Sequence, residues 1–134
     1  MTTNPKLLLC IEDDDDDRIL IEEAASEVDP DLVFIHKWNG KEGMAFLQQQ
    51  KEFSDFPCLI LMDLNMPVMN GKDTLAKIKN DPELKKIPVV VFSTSSNKGD
   101  HNYCEQCGAE LITKPIKMDD LKRKIHQVVM ARCN

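Results

Sequence analysis

Apolar residues gather in five short unbroken runs: LLLCI at 7–11, LVFI at 32–35, CLILM at 58–62, VVVF at 89–92 and a weaker ELI at 110–112. Runs of this length, free of polar alternation, predict strands buried on both faces. Between them the apolar positions take helical spacing: Leu20, Ile21, Ala24, Ala25 and Val28; Met44, Phe46 and Leu47; Leu75, Ile78 and Leu84; Leu121, Ile125, Val128 and Val129. A fourth helix, at 100–106, has a thin apolar face carried by Tyr103 with Cys104 or Cys107. Strand and helix therefore alternate along the chain, which predicts an α/β fold with a five-stranded parallel sheet, helices on both faces and right-handed crossovers. Asn39-Gly40, Asn70-Gly71, Asp81-Pro82, Ile87-Pro88 and Lys114-Pro115 punctuate the connections.

The 134 residues, with 42% hydrophobic and 30% charged, 5 Gly and 7 Pro, suit one globular domain spanning 1–134 with its core at about 7–132 and no output domain. A net charge of −6 repels a phosphate backbone, and no Lys/Arg cluster interleaved with aromatics offsets it, so nucleic-acid binding is not expected. The N-terminal apolar run is too short for a signal peptide or a membrane span, and a cytoplasmic location is expected. Five cysteines, two of them inside apolar runs, read as reduced and mostly buried thiols rather than a disulfide framework.

In an open parallel sheet, ligands bind beyond the carboxyl ends of the strands. There the chain places Glu12-Asp13 after the first run, Asp63 after the third, Ser93-Thr94 after the fourth and Lys114-Pro115 after the fifth. Hard carboxylate oxygens with open coordination suit Mg²⁺. With the cation held by Asp13, and by Glu12 directly or through water, Asp63 stays ionised and can attack phosphorus to form an acyl phosphate, its product paired with Lys114. The rest of the acidic run, Asp14 to Asp17, is explained by a helix start, where side-chain oxygens cap free N–H groups and negative charge meets the positive end of the dipole.

IED at 11–13, LMDLNMPVMNG at 61–71, VVVFST at 89–94 and TKP at 113–115 together resemble the marks of a response-regulator receiver domain, over nearly the whole chain. The resemblance implies a flavodoxin-like fold with strand order 2-1-3-4-5. It implies Asp63 as phosphoacceptor; Glu12, Asp13, Asp63 and the backbone carbonyl of Asn65 as metal ligands; Ser93 as the switch hydroxyl; Lys114 and Thr94 at the phosphate; and a cis peptide before Pro115. The implied function is two-component signalling: a sensor histidine kinase or phosphotransfer protein donates the phosphoryl group, and the modified protein, monomer or homodimer, switches a protein-interaction surface. The chain is then not an enzyme beyond its own phosphorylation and dephosphorylation. The long segment QQQKEFSDFPC resembles single-domain receivers that partner phytochrome-type kinases.

Two departures from the family pattern stand out. From Gly108 to Lys114 the chain is one residue short, and Leu111 stands where many receivers carry a switching aromatic. Rival readings are a receiver-like binding module that is never phosphorylated and a small Mg²⁺-dependent phosphatase or phosphotransferase. Against the latter, Asn65 stands where such enzymes commonly carry an acid. His101, Cys104 and Cys107 form H-x-x-C-x-x-C, but ligands at these spacings drift round a helix and no fourth partner is evident; a surface helix with one half-buried Cys is the simpler reading.

Overall fold

A computed structural model describes residues 6–64, 70–94, 98–115 and 117–133. The elements run β1 (Leu7–Ile11), α1 (Asp15–Val28), β2 (Val33–Lys37), α2 (Gly40–Phe53), β3 (Leu59–Asp63), α3 (Gly71–Asn80), a 3₁₀ turn (Leu84–Lys86), β4 (Val89–Ser93), α4 (Lys98–Gln106), β5 (Glu110–Thr113) and α5 (Met118–Cys133). All strand pairs are parallel, in the order β2-β1-β3-β4-β5.

Side-chain alternation along the strands splits the core in two. Leu9, Ile11, Ile60, Met62, Val89 and Val91 pack with Leu47, Leu75, Ile78 and Cys104 of α2, α3 and α4. Leu8, Cys10, Leu59, Leu61, Val90 and Phe92 pack with Ile21, Ala24, Leu121, Ile125 and Val129 of α1 and α5. Each fully buried Leu, Ile or Phe among them contributes about 1.5–3 kcal/mol. The central strands β3 and β4 are buried at every position, as their unbroken runs predict. The edge strands differ: β2 is half-buried throughout, because only β1 flanks it.

Three helices start on capping side chains. Asp14 accepts from the Asp17 N–H, Asn39 from Glu42 and Asn70 from Asp73, so one of the free opening N–H groups of each helix finds an acceptor. Asn39 and Glu42 also bond side chain to side chain at 3.2 Å, closing a reciprocal cap.

The cysteines depart from the expectation of reduced thiols. Cys58, just before β3, is disulfide-bonded to Cys133, the last residue of α5, while Cys10, Cys104 and Cys107 are free. A sequence separation of 75 carries no spacing signal; the pair meets because α5 runs antiparallel to the strands and ends at the amino edge of the sheet.

Candidate functional site

The carboxyl ends of β1, β3 and β5 bring together the groups their sequence positions promise. Glu12, Asp13 and Asp63 each offer a carboxylate oxygen, all within 4.8 Å of one another. Among the described residues no other three His, Cys, Asp or Glu side chains gather in this way, and His101, Cys104 and Cys107 are not such a group. Asp13 is exposed, whereas Glu12 is 1% and Asp63 8% exposed. A half-open set of hard oxygen donors fits a divalent cation that keeps part of its water shell.

Lys114 is the organic cation of the site. Its ammonium donates to Asp17 Oδ2 at 2.8 Å, Asp63 Oδ2 at 3.2 Å and Glu12 Oε2 at 3.4 Å. Burial alone would lower its pKa, but the Asp17 hydrogen bond and the charges of Glu12 and Asp63 outweigh it and hold the ammonium above its ordinary value. Glu12 shows the opposite balance. Burial, then repulsion from Asp63, pushes its carboxyl up to about 8, against the attraction of Lys114 and the Asp14 N–H that Oε1 accepts at 3.2 Å. One lysine does not compensate three crowded acids, and Glu12 carries the remaining stress.

The backbone holds Glu12 rigidly. Its N–H donates to the Lys37 carbonyl at 3.0 Å, and its own carbonyl accepts at 2.7 Å from Nε2 of His36, which must carry the proton on that nitrogen. Asp63 is fixed by Gly71. The Gly71 N–H donates to the Leu64 carbonyl at 2.8 Å, and a Cβ there would lie 2.5 Å from Leu64 Cα and 2.7 Å from the Asp63 carbonyl oxygen. The motif therefore needs glycine where α3 backs onto the tip of β3.

A groove of about 530 Å³ opens over the carboxylates, lined among others by Asp13, Asp63, Thr94 and Lys114. Ser93, the last residue of β4, is wholly buried, and exposed Thr94 lines the groove. The Ser93 carbonyl accepts from the Lys114 N–H at 2.8 Å, so β4 and β5 are tied together beside the site. Leu111 is partly buried against the α2–α3–α4 side of the core.

Sequence reasoning missed two features. Asp17 sits in the first turn of α1 as expected, yet it also makes the shortest bond to Lys114, across 97 residues. His36 gave no signal, because its contact is to a backbone atom. One expectation is corrected: no peptide bond among the described residues is cis, so the Lys114–Pro115 bond is trans. Trans is favoured for X–Pro by about 0.5–1 kcal/mol, and in this form the Lys114 ammonium already reaches its three carboxylates. Asn65 lies outside the described residues.

The description "Response regulator receiver domain" matches residues 8–126. The response regulator Rcp1 of Synechocystis sp. is 46% identical over 100 residues, covering 72% of this chain and 67% of its own. Among solved structures, the Mn²⁺-bound form of Rcp1 superposes with a TM-score of 0.84 at 38% identity, covering 93% of this chain and 92% of that one. The phosphorylated cyanobacterial phytochrome response regulator RcpA gives 0.88 at 35% identity, covering 96% and 94%. The polar-differentiation response regulator DivK of Brucella anthropi is 32% identical over 119 residues, 85% of this chain and 88% of its own. With its sheet order, its acidic cluster and these relatives, the chain belongs to the response regulator receiver domains of two-component signalling.

Proposed function

We propose that Asp63 accepts a phosphoryl group from the phosphohistidine of a sensor kinase or phosphotransfer protein, with Mg²⁺ bound by Glu12, Asp13, Asp63 and the Asn65 carbonyl. The observation that carries this reading is the convergence of Glu12, Asp13, Asp63 and the Lys114 ammonium from three strand ends on one cluster, of which Asp13, Asp63 and Lys114 line the groove. A divalent cation held by these carboxylates would supply charge neutralisation for the incoming phosphoryl group.

A carboxylate oxygen of Asp63 attacks phosphorus as the P–N bond to the donor imidazole breaks; the imidazole keeps the electron pair and takes a proton. Lys114 leaves Asp17 or Glu12 for a phosphoryl oxygen, a small move because its ammonium is already within 3.2 Å of Asp63. Thr94 borders the groove and donates its hydroxyl to the phosphoryl group, and Ser93, turning from its buried place, is the switch hydroxyl. The new charge shifts a conformational equilibrium only through contacts that differ between its two states.

In this reading the receiver acts in the cytoplasm, and its output is a protein contact. No helix among the described residues is long and apolar enough to cross a membrane. Similarity to Rcp1 and RcpA favours a phytochrome-type kinase as donor.

The test is incubation with acetyl phosphate and Mg²⁺, followed by intact-mass and peptide analysis. A single base-labile phosphoryl adduct on Asp63, lost with EDTA and in Asp63→Asn, is expected. Labelling that persists in Asp63→Asn at another residue overturns the assignment.

A further inference from the structure

The disulfide lies at the end of β3 opposite Asp63, roughly 16 Å away along a five-residue strand. Its two sulfurs are unequally placed. Cys133 is 1% exposed, whereas Cys58 is half-buried and lines a groove of about 330 Å³. Phe56, Pro57 and Pro88 supply apolar walls; Lys86 and Arg132, both exposed, supply two cations against the single carboxylate of Glu83. A small anionic molecule with a short apolar body matches that lining.

Both redox states are accommodated here. Cys58 Sγ lies 3.2 Å from the Leu7 carbonyl oxygen, an acceptor in place for the S–H of the reduced form. The end of α5 also has packing of its own, since Ile125, Val128 and Val129 lie in the same buried cluster as Cys133.

We propose that this groove is a binding site for a small anionic thiol or its disulfide, of the γ-glutamyl tripeptide class, and that Cys58 is the sulfur it exchanges with. The incoming thiolate attacks Cys58 Sγ; a Cys58–thiol mixed disulfide forms, the Cys58–Cys133 bond breaks, and Cys133 leaves as a thiolate that takes a proton from water. A second thiolate attacks the outer sulfur of the mixed disulfide, releasing the small-molecule disulfide and leaving Cys58 reduced. Two thiols are oxidised and one protein disulfide is reduced, and the reverse sequence re-forms the crosslink. The last turn of α5 is then held by its packing and by the Lys6 ammonium, which donates to the Cys133 carbonyl at 3.1 Å, so release is local. This input is separate from the phosphoryl site and does not rest on the reading of Asp63.

The experiment uses the full chain in glutathione buffers of graded ratio, quenched with iodoacetamide and read by peptide mass. The Cys58–Cys133 bond is expected to titrate across the series. Cys133→Ser is expected to take up the tripeptide from oxidised glutathione at Cys58, and Cys58→Ser to resist it at Cys133. Reduction rates are then compared for anionic glutathione, neutral 2-mercaptoethanol and cationic cysteamine. In the Lys86→Glu/Arg132→Glu double variant, the ratio of the glutathione rate to the 2-mercaptoethanol rate falls about fivefold and cysteamine gains.

An unchanged ratio overturns recognition by the groove. Preferential modification of Cys133, or a disulfide that only denaturant makes reducible, overturns the exchange at Cys58. Free Cys58 and Cys133 after oxidised glutathione do the same.

Discussion

The two ends of the sheet treat their carboxylates in opposite ways. At the amino end, Asp81 closes α3 and pairs with Lys51 of α2; that hydrogen bond and the N–H groups of Leu84 and Glu83 pull its carboxyl down to about 2. At the carboxyl end, burial and Asp63 push Glu12 up to about 8. Both acids have a lysine, but Asp81 has its own, whereas Glu12 shares Lys114 with Asp17 and Asp63. A matched pair is a structural joint; an acid-rich cluster short of positive charge is poised for a ligand that brings it. The amino end is further fastened by the disulfide. Stability and reactivity thus sit at opposite ends of the same strands, and substitutions at the two ends should affect them differently.

The largest effect is expected at the fastened end. Cys133→Ser opens a crosslink of sequence separation 75, which by the chain-entropy argument costs about 4 kcal/mol. The urea midpoint of the oxidised protein should fall accordingly, with phosphodonor labelling of Asp63 unaltered. A loss of labelling along with the midpoint would show that the ends are not independent. Next comes Gly71→Ala. Its Cβ would meet backbone atoms of Asp63 and Leu64, which cannot give way as a flexible side chain can. Overpacking of this kind costs about 2 kcal/mol and shifts the nucleophile, so midpoint and labelling rate should fall together. Asp63→Asn should do the reverse, abolishing labelling while raising stability by about 1 kcal/mol without divalent cation, since it relieves the repulsion on Glu12. A destabilised Asp63→Asn would mean that its bond to Lys114 outweighs the crowding.

How much of this the sequence carried depended on whether neighbours in the chain or neighbours in space decide the feature. β3 and β4 were legible because a strand buried on both faces needs an unbroken apolar run. Half-buried β2 reads almost the same as a run, since position in the sheet rather than composition makes it an edge. Asp63 and Lys114 were legible because strand ends project ligands to one edge. The second role of Asp17 was not: its local job as part of a helix start accounts for it completely, and only folding brings Lys114 to it. The Cys58–Cys133 pair was hidden for the same reason, and an odd cysteine count pointed away from it. The expected cis Pro115 came from resemblance alone and had no local physical cause to support it.

The smallest effect isolates the matched pair at the amino end. Because folding lowers the Asp81 pKa from 3.8 to about 2, the folded state binds fewer protons than the unfolded state between those values. Its contribution is therefore complete above about pH 4 and fades as the pH falls toward 2. Asp81→Asn should lose a modest part of the stability at neutral pH and show a shallower decline in that acid window, measured as urea midpoints from pH 5 downward. Lys51→Met should flatten the same window while leaving the backbone bonds to Asp81 in place, so part of the slope survives. If both variants keep the full slope, the ion pair contributes nothing in solution, and the contrast between the ends rests on the disulfide and the crowded acids alone.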